Sequence, residues 1–231
     1  MQSPAPQDNS VNPGYPMLKR DIIRGHFKPG EKLLMSGLKE RYGLGVGPLR
    51  EALSQLVAER LVVAVNQKGY RVAPMSLAEL EDIYDARANL EAMLVTLAIQ
   101  RGDDAWEAEV LARAHTLAKV VEVKGPEDML SLWDARHKAF HAAIAAGCGS
   151  LHLLQVRAAL FDQAERYRHL WLQQTVFSEQ ALQAKRQEHS ELVEAILARD
   201  AARASAFMRE HLLSPVPIIS ALMQQQGLAG C

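Results

Sequence analysis

The sequence has little cysteine: only Cys148 and Cys231 occur among 231 residues. Two thiols, one of them at the last residue, cannot form the disulfide framework of a secreted domain, so we expect a protein of the reducing cytoplasm. Long apolar runs are missing as well, because a run such as 61–65 is far shorter than the roughly 20 residues that cross a bilayer. No basic stretch followed by an apolar segment opens the chain, which argues against a signal peptide.

An excess of one charge is also missing from the chain as a whole, since its net charge is −1. The two ends nevertheless differ. Residues 17–73 hold 11 Lys or Arg against 5 Asp or Glu, whereas the chain from Pro74 onward holds 15 against 21. A basic first quarter favours contact with a polyanion such as DNA. The charge alone leaves a second interpretation open, because small basic domains are often merely soluble.

The first quarter has the pattern of a winged helix-turn-helix. Residues 1–16, rich in proline, are expected to be a disordered lead-in. Helical periodicity then runs from Met17 to Gly25, returns over 36–42 until Gly43, and returns again from Pro48, where proline suits a first helical turn. Two β-rich runs joined by a turn with Gly69 follow. Leu49, Leu53, Leu56 and Val57 are the expected buried stripe of the third helix.

The remainder of the chain predicts an all-α antiparallel bundle. Pro74 marks the boundary, and Ser76 followed by Glu79 has the spacing of a helix-capping box. Helical patterns with short breaks favour antiparallel neighbours. The expected helices are 77–101, 104–122, 127–146, 150–174, 178–198, 201–213 and 215–225, within a domain of 74–225 and before a flexible tail of 226–231. The predicted fold class is therefore mostly α.

The run "GHFKPGEKL", the segment "LKERYGLGVGPLREALSQLVAERLV" and the wing "NQKGYRVA" resemble the GntR family of transcription regulators. The later helices are similar to the FadR-type branch, whose effector domain is called FCD. The resemblance implies that Arg50 approaches DNA from the recognition helix and that Gly69 and Lys68 form the wing tip. It also implies phosphate contacts by Ser36 and Lys39.

One departure from the family is visible at the start of the recognition helix. The family usually has Ser-Arg there, whereas this chain has Gly45 and Val46. One arginine that reads bases is therefore missing, and the operator sequence does not follow from the resemblance. For Arg50 and Lys68 the alternative remains a solvated side chain with no DNA contact.

Four histidines have a pattern that suggests a metal site. His137 and His141 are four residues apart on one predicted helix, so both imidazoles can face one centre. FCD domains often bind a divalent metal through Asp-x3-His and two further histidines. The resemblance assigns these places to His141, His189 and His211, with His137 where the family has aspartate. An all-imidazole set favours Zn²⁺ or Ni²⁺. Without the resemblance, such histidines are more often surface or packed residues.

The resemblance also suggests an effector site in the second domain. Arg87 in "RANLE" matches a common Arg-x3-Glu of FCD domains and is expected to bind an effector carboxylate. An ion pair with Glu91 is an equal alternative. Arg168 and Tyr167 are the other expected effector residues. Trp171 could line the same cavity, although packing in the core is the simpler explanation for the aromatic pair.

The predicted function is a ligand-responsive repressor that binds double-stranded operator DNA as a homodimer. The overall pattern is similar to glutarate-responsive repressors of this branch, so the expected effector is a small acid, for example a dicarboxylate such as glutarate. We do not expect the protein to be an enzyme. The alternatives are a metal-dependent hydrolase with Glu188 as base and a DNA-binding dimer without an effector.

Overall fold

The computed structural model describes residues 12–228, so the first part of the expected lead-in and the last residues of the tail lie outside the described residues. The chain divides after Pro74 into two compact units. Within the described range, no helix is both long and apolar enough to cross a membrane.

The first unit is a winged helix-turn-helix, as the sequence predicts. Its strands form one antiparallel sheet in the order β1-β3-β2, with Leu33 opposite Tyr70 and Val62 opposite Val72. Gly69 has φ +85°, a left-handed conformation that glycine adopts without strain, at the start of the last strand. The elements are α1 (Gly14–Ile23), β1 (Lys32–Leu33), α2 (Met35–Tyr42), α3 (Val46–Ala58), β2 (Val62–Val65) and β3 (Gly69–Val72).

A leucine-rich core holds this unit together. Leu49, Leu53 and Leu56 of α3 are completely buried and recur at the spacing of one helix face. They pack against Leu18 of α1 and Leu38 of α2. Val57 is only partly buried and lies at the border of this core.

Three features of this unit differ from what the sequence predicts. First, α1 begins at Gly14, because the Asn12 side chain accepts a hydrogen bond from the Gly14 backbone N–H and donates one to the carbonyl of Pro48. Residues 14–16 are thus helical and not part of a disordered lead-in. Second, α3 begins at Val46, two residues before Pro48, whose missing N–H is tolerated anywhere in the first turn. Third, the short strand β1 was not expected.

The second unit is an all-α bundle that carries only helices in the described part of the chain. The long helix α4 packs against α7, α8, α10 and α11, while α5 packs against α7 and α9. Ser76 accepts a hydrogen bond from the Glu79 N–H at the start of α4, as predicted. The helices are α4 (Leu77–Arg101), α5 (Asp104–Ala118), α6 (Pro126–Asp128), α7 (Ala135–Ala146), α8 (Leu151–Leu172), α9 (Glu179–Leu197), α10 (Ala201–Leu213) and α11 (Val216–Gln225).

A π-helical segment, Met129–Asp134, joins α6 to α7. The sequence predicts one continuous α-helix over 127–146, so this is a correction. A π-turn holds one more residue than an α-turn and is frequent at functional sites. Trp133 and Asp134, at the end of the segment, are both buried. The wider turn therefore sets the direction of the Trp133 and Asp134 side chains, a few residues before His137, the first histidine of α7.

Asp21 joins α1 to the end of α2 and gives the first testable prediction. It is buried and accepts hydrogen bonds from Tyr42 Oη (2.9 Å) and Arg41 Nε (3.0 Å). Burial alone would raise the pKa of Asp21, but the hydrogen bonds from Tyr42, Arg41 and His26 hold it below its usual value. A lowered pKa stabilises the fold above the unfolded value near 4, and this contribution disappears as the pH falls through the folded value.

We therefore expect Asp21→Asn to lower the free energy of unfolding at pH 7 by about 1–3 kcal/mol. The difference from wild type should shrink below about pH 4. Urea denaturation at several pH values, with the exposed Glu40→Gln as control, measures this. A loss that is the same at pH 7 and pH 3 would contradict the charged role of Asp21.

Candidate metal centre and anion-binding cavity

Three helices bring four imidazoles to one point. His137 and His141 are one turn apart on α7, His189 comes from α9, and His211 from α10. One ring nitrogen from each of the four lies within 4.8 Å of those of the others. The structure thus brings together all four histidines that the sequence singled out.

The spacing suits a single ion. His137 Nε2 is 3.1 Å from His141 Nε2 and 3.1 Å from His211 Nε2. Two nitrogens bound at 2.0–2.1 Å to one tetrahedral zinc would be about 3.3–3.4 Å apart. His189 Nε2 is buried and, within the described residues, has no hydrogen-bond partner. An orphaned imidazole nitrogen beside three converging ones fits a missing ligand bond.

The protonation state also suits a metal. Burial first, and the neighbouring imidazoles second, lower the pKa of His137, His141 and His189 well below the usual value. Burial lowers the pKa of His211 as well, although Glu188 opposes the shift. The imidazoles are therefore neutral at physiological pH, and neutral imidazole is the form that binds metal.

Two neighbours orient the rings. The Nδ1 of His211 lies 3.1 Å from the Glu188 carboxylate, an arrangement that directs the lone pair of Nε2 to the centre. Partial burial raises the pKa of Glu188, but hydrogen bonds from His211 and Lys185 outweigh it and lower the pKa to about 2. Glu188 is thus a fixed negative charge behind His211.

His137 has a different partner. Its Nδ1 lies 3.1 Å from Arg168 Nη2, and a guanidinium can only donate. Nδ1 is then the acceptor, so the ring proton is on Nε2, the atom that faces the other histidines. Binding of an ion through His137 Nε2 therefore requires Arg168 to release this contact.

A cavity opens beside the histidines, with about 540 Å³ of empty space. His137, His141 and His211 form part of its wall. Among the described residues, its lining includes no carboxylate, so it presents positive charge. The lining also includes the cations Arg87, Lys138, Arg168 and Lys185 and the aromatic rings of Tyr84, Trp133, Phe161 and Trp171.

The counter-ions lie behind the cations. Asp134 and Glu165 pair with both Lys138 and Arg168. Lys185 pairs with a glutamate, Glu188, at 2.8 Å. The cavity itself is thus lined by cations whose partners are outside it, which is the charge distribution that an anion requires.

For Arg87 the sequence leaves two interpretations open, an ion pair with Glu91 and contact with an effector. Its Nη2 is 4.0 Å from Glu91, at the limit of an ion pair, whereas Arg157 Nε approaches Glu91 to 2.8 Å. The main partner of Glu91 is therefore Arg157. Arg87 lies over the ring of Phe161, 5.1 Å from its centroid, and faces the cavity.

Tyr167, which the sequence predicts as an effector residue, lies outside the lining of this cavity. Its hydroxyl bonds to Glu79 and lies 3.3 Å from the Ser76 N–H, so it braces the start of α4 and does not line the cavity. Its helix neighbour Arg168 does line it, because successive residues on a helix point about 100° apart. Trp171, one turn after Tyr167, lines the cavity although it is buried.

Sequence reasoning missed Lys138 and Lys185 as lining residues. Lys138 directly follows His137, and Lys185 precedes His189 by four residues. The second spacing places a lysine on the same helix face as a histidine of the cluster, which is a signal that could have been used.

All the residues that we expect to contact DNA are exposed to solvent in the first unit. Arg50 is exposed on α3, and Lys39 is exposed on α2; neither forms an ion pair with any residue of 12–228. Lys68 and Gly69 are exposed at the hairpin between β2 and β3, and Ser36 is exposed on α2. Val46, at the start of α3, is also exposed.

Comparisons with known proteins agree with this architecture. Residues 15–72 match the family "Bacterial regulatory proteins, gntR family", and residues 82–214 match the FCD domain. The HTH-type transcriptional repressor GlaR of Escherichia coli (strain K12) is 64% identical over 217 residues, which cover 94% of this chain and 96% of GlaR.

A more distant relative and a solved structure extend the agreement. The HTH-type transcriptional regulator BphR of Paraburkholderia xenovorans (strain LB400) is 32% identical over 94% of this chain and 89% of its own. The structure of E. coli McbR/YncC superposes with a TM-score of 0.72 over 92% of this chain and 96% of its own; at 22% identity this likeness shows the fold. These relatives are regulators, in agreement with the expectation that the chain is not an enzyme. Since both domain matches and the long relatives coincide with the two units described above, the chain belongs to the GntR family of DNA-binding transcription regulators, in the branch with an FCD effector domain.

Proposed function

We propose that this protein is a repressor whose operator affinity changes when a small carboxylate binds in the cavity beside a metal ion. The observation that carries the proposal is a cationic cavity without lining carboxylates, among the described residues, at a cluster of four neutral histidines. The same chain carries a DNA-binding unit. A sensor needs both parts, because the ligand and the operator must bind one molecule for their affinities to be linked.

A dicarboxylate such as glutarate suits the cavity. Arg87 and Arg168 can each form a bidentate pair with a carboxylate, and Lys138 supplies a further charge. The aromatic walls exclude water, which strengthens these attractions.

The metal we propose is Zn²⁺ or Ni²⁺. Four imidazoles and no carboxylate ligand favour these borderline ions over Mg²⁺ or Mn²⁺. Such an ion would be held by His137, His141, His189 and His211 and would add a positive charge that attracts an anion in the cavity. Arg168, released from His137 Nδ1, would then be free to pair with the effector, so metal and effector binding would favour each other.

Homodimerisation remains a prediction that the surface supports. Two large apolar side chains in the first turns of α8 are exposed, Leu151 at 78% and Val156 at 52%, as is Met93 at 43% on α4. Exposed apolar groups of this size favour burial against another subunit. A two-fold dimer would place its recognition helices about 34 Å apart on a near-palindromic operator.

DNA contact is proposed for Arg50 of α3 and for the wing residues Lys68 and Gly69, with Ser36 and Lys39 at the phosphates. Their exposure supports this, as does the absence of ion pairs for Arg50 and Lys39 within residues 12–228. A cation without a protein partner can release counter-ions from the phosphates at little cost.

Hydrolysis is the weaker alternative. Four histidines would fill a tetrahedral ion, whereas a catalytic zinc keeps a position open for water. Glu188, the expected base, is engaged by His211 and Lys185. A DNA-binding dimer without an effector would bind no small acid.

The DNA assignment predicts that Arg50→Ala lowers operator affinity at least tenfold, because a good arginine contact contributes about 1–3 kcal/mol. Electrophoretic mobility shift with the region upstream of its own gene measures this. Glu51→Gln, the exposed neighbour on the same helix, should bind at least as tightly as wild type. An unchanged affinity of Arg50→Ala would show that α3 does not read DNA.

The metal assignment predicts that His141→Ala reduces the bound ion from one per chain to near zero. Wild type should gain thermal stability with Zn²⁺, since a ligand at 100 times its Kd stabilises by about 2.7 kcal/mol. Elemental analysis and thermal unfolding measure both effects, and the exposed His152→Ala is the control. Full metal content in His141→Ala would refute the centre.

The effector assignment predicts that Arg87→Met weakens glutarate binding about tenfold or more, because it removes a cavity cation while Glu91 keeps Arg157. Calorimetric titration of the zinc-loaded protein measures the affinity. Arg113→Met, which removes an exposed cation paired with Glu109 on α5, should bind as wild type. Equal affinities of both variants would place the effector elsewhere, and no heat with any small acid would favour the effector-free dimer.

A further inference from the structure

A second cavity reaches the histidine cluster from another side. It holds about 550 Å³ of empty space between α9 and α10. His211 and Ser214 line both cavities. His189 lines the second cavity and a third one between α5 and α9, in whose lining the described residues include Arg186 but no carboxylate. The cluster is thus reached from the first cavity through His137, His141 and His211, and from the second through His189 and His211.

The two cavities have opposite charge. Glu188, Glu191 and Glu210 line the second cavity, and no lysine or arginine among the described residues does so. The first cavity is lined by four cations and no carboxylate within the same range. A divalent cation approaching through the first cavity would be repelled, while the second would concentrate it.

The three carboxylates differ in whether a positively charged group of the protein already pairs with them. Glu188 is engaged by Lys185 and His211. Glu191 accepts a hydrogen bond from the neutral amide of Gln187, 2.9 Å away, and Glu210 forms no ion pair with residues 12–228. Glu191 and Glu210 therefore keep their charge available for a hydrated ion.

His189 is the second, independent observation. Its side chain is only 6% exposed, and its Nε2 has no hydrogen-bond partner in the described chain, yet it lines this acidic cavity. A buried imidazole nitrogen left open next to carboxylates is suited to take over an ion that has shed its water.

We infer that the acidic cavity is the route by which the metal ion enters and leaves the histidine centre, separate from the cationic cavity that admits the anion. The inference rests on the proposed ion site. It has a functional consequence: the ion exchanges with solvent while the effector cavity is occupied, so metal loading is independent of the order in which the two ligands arrive.

The test is the rate of Zn²⁺ uptake by the metal-free full-length protein. Stopped-flow mixing with a zinc-chelating dye follows the transfer of the ion at several salt concentrations. The double variant Glu191→Gln with Glu210→Gln should take up Zn²⁺ about tenfold more slowly at low salt and lose most of the salt dependence, because attractive carboxylates raise association rates by 10-fold or more. It should still bind one ion per chain at equilibrium.

Two controls separate the routes. Glu194→Gln, an exposed glutamate of α9 outside both cavities, should match wild type. Arg87→Met, which removes a cation from the other cavity, should not accelerate uptake, and saturating glutarate should not slow it.

Uptake by the double variant at the wild-type rate and salt dependence would overturn the route alone. Faster uptake by Arg87→Met, or uptake blocked by glutarate, would do the same and would place the entry in the cationic cavity. A wild-type protein that binds no Zn²⁺ would overturn the ion site and the route together.

Discussion

The convergence of three buried imidazoles and one half-buried imidazole at one point is the constraint on which the effector domain depends. Each helix that contributes a histidine must also bury an apolar face, so α7, α9 and α10 are fixed both by the core and by the centre. Buried nitrogens of this cluster, such as His189 Nε2, have no hydrogen-bond partner within the described residues. Such groups cost free energy. A bound ion would offset this cost, whereas further apolar packing would not.

The charges around this centre follow from the same constraint. Arg168 is buried, and burial lowers its pKa to about 10, so it remains a cation at neutral pH. It is tolerated because Asp134 and Glu165 lie behind it. A buried cation with its counter-ions on one side only attracts an anion to the other side. The proposed ion, Arg168 and the proposed anion would thus form one electrostatic unit.

The sequence predicted much of this from periodicity and spacing. The winged unit, the bundle and the convergence of His137, His141, His189 and His211 were all expected. The i,i+4 pair on α7 was readable because one helix determines it. The convergence of α9 and α10 on that pair depends on packing between distant segments, and only the family resemblance supplied it.

The errors have local physical causes. Tyr167 and Arg168 are adjacent, and a periodic pattern alone does not decide which of two neighbours faces a cavity. The start of α1 depended on the Asn12 side chain bonding to Pro48, a contact between residues 36 positions apart. Lys138 and Lys185 were missed because charged residues on a helix are ordinarily assigned to solvent.

The π-helical segment before α7 carries Trp133, which stacks on His137 with ring centroids 4.7 Å apart, and Asp134, the partner of Arg168. Its wider turn accommodates one residue more than an α-helix would. A homologous domain with a regular helix here would differ in chain length and not in side-chain identity. If such a homologue were aligned from α7 backwards without a gap, every position before the extra residue would be shifted by one. The residues equivalent to Trp133 and Asp134 would then be aligned with the wrong positions.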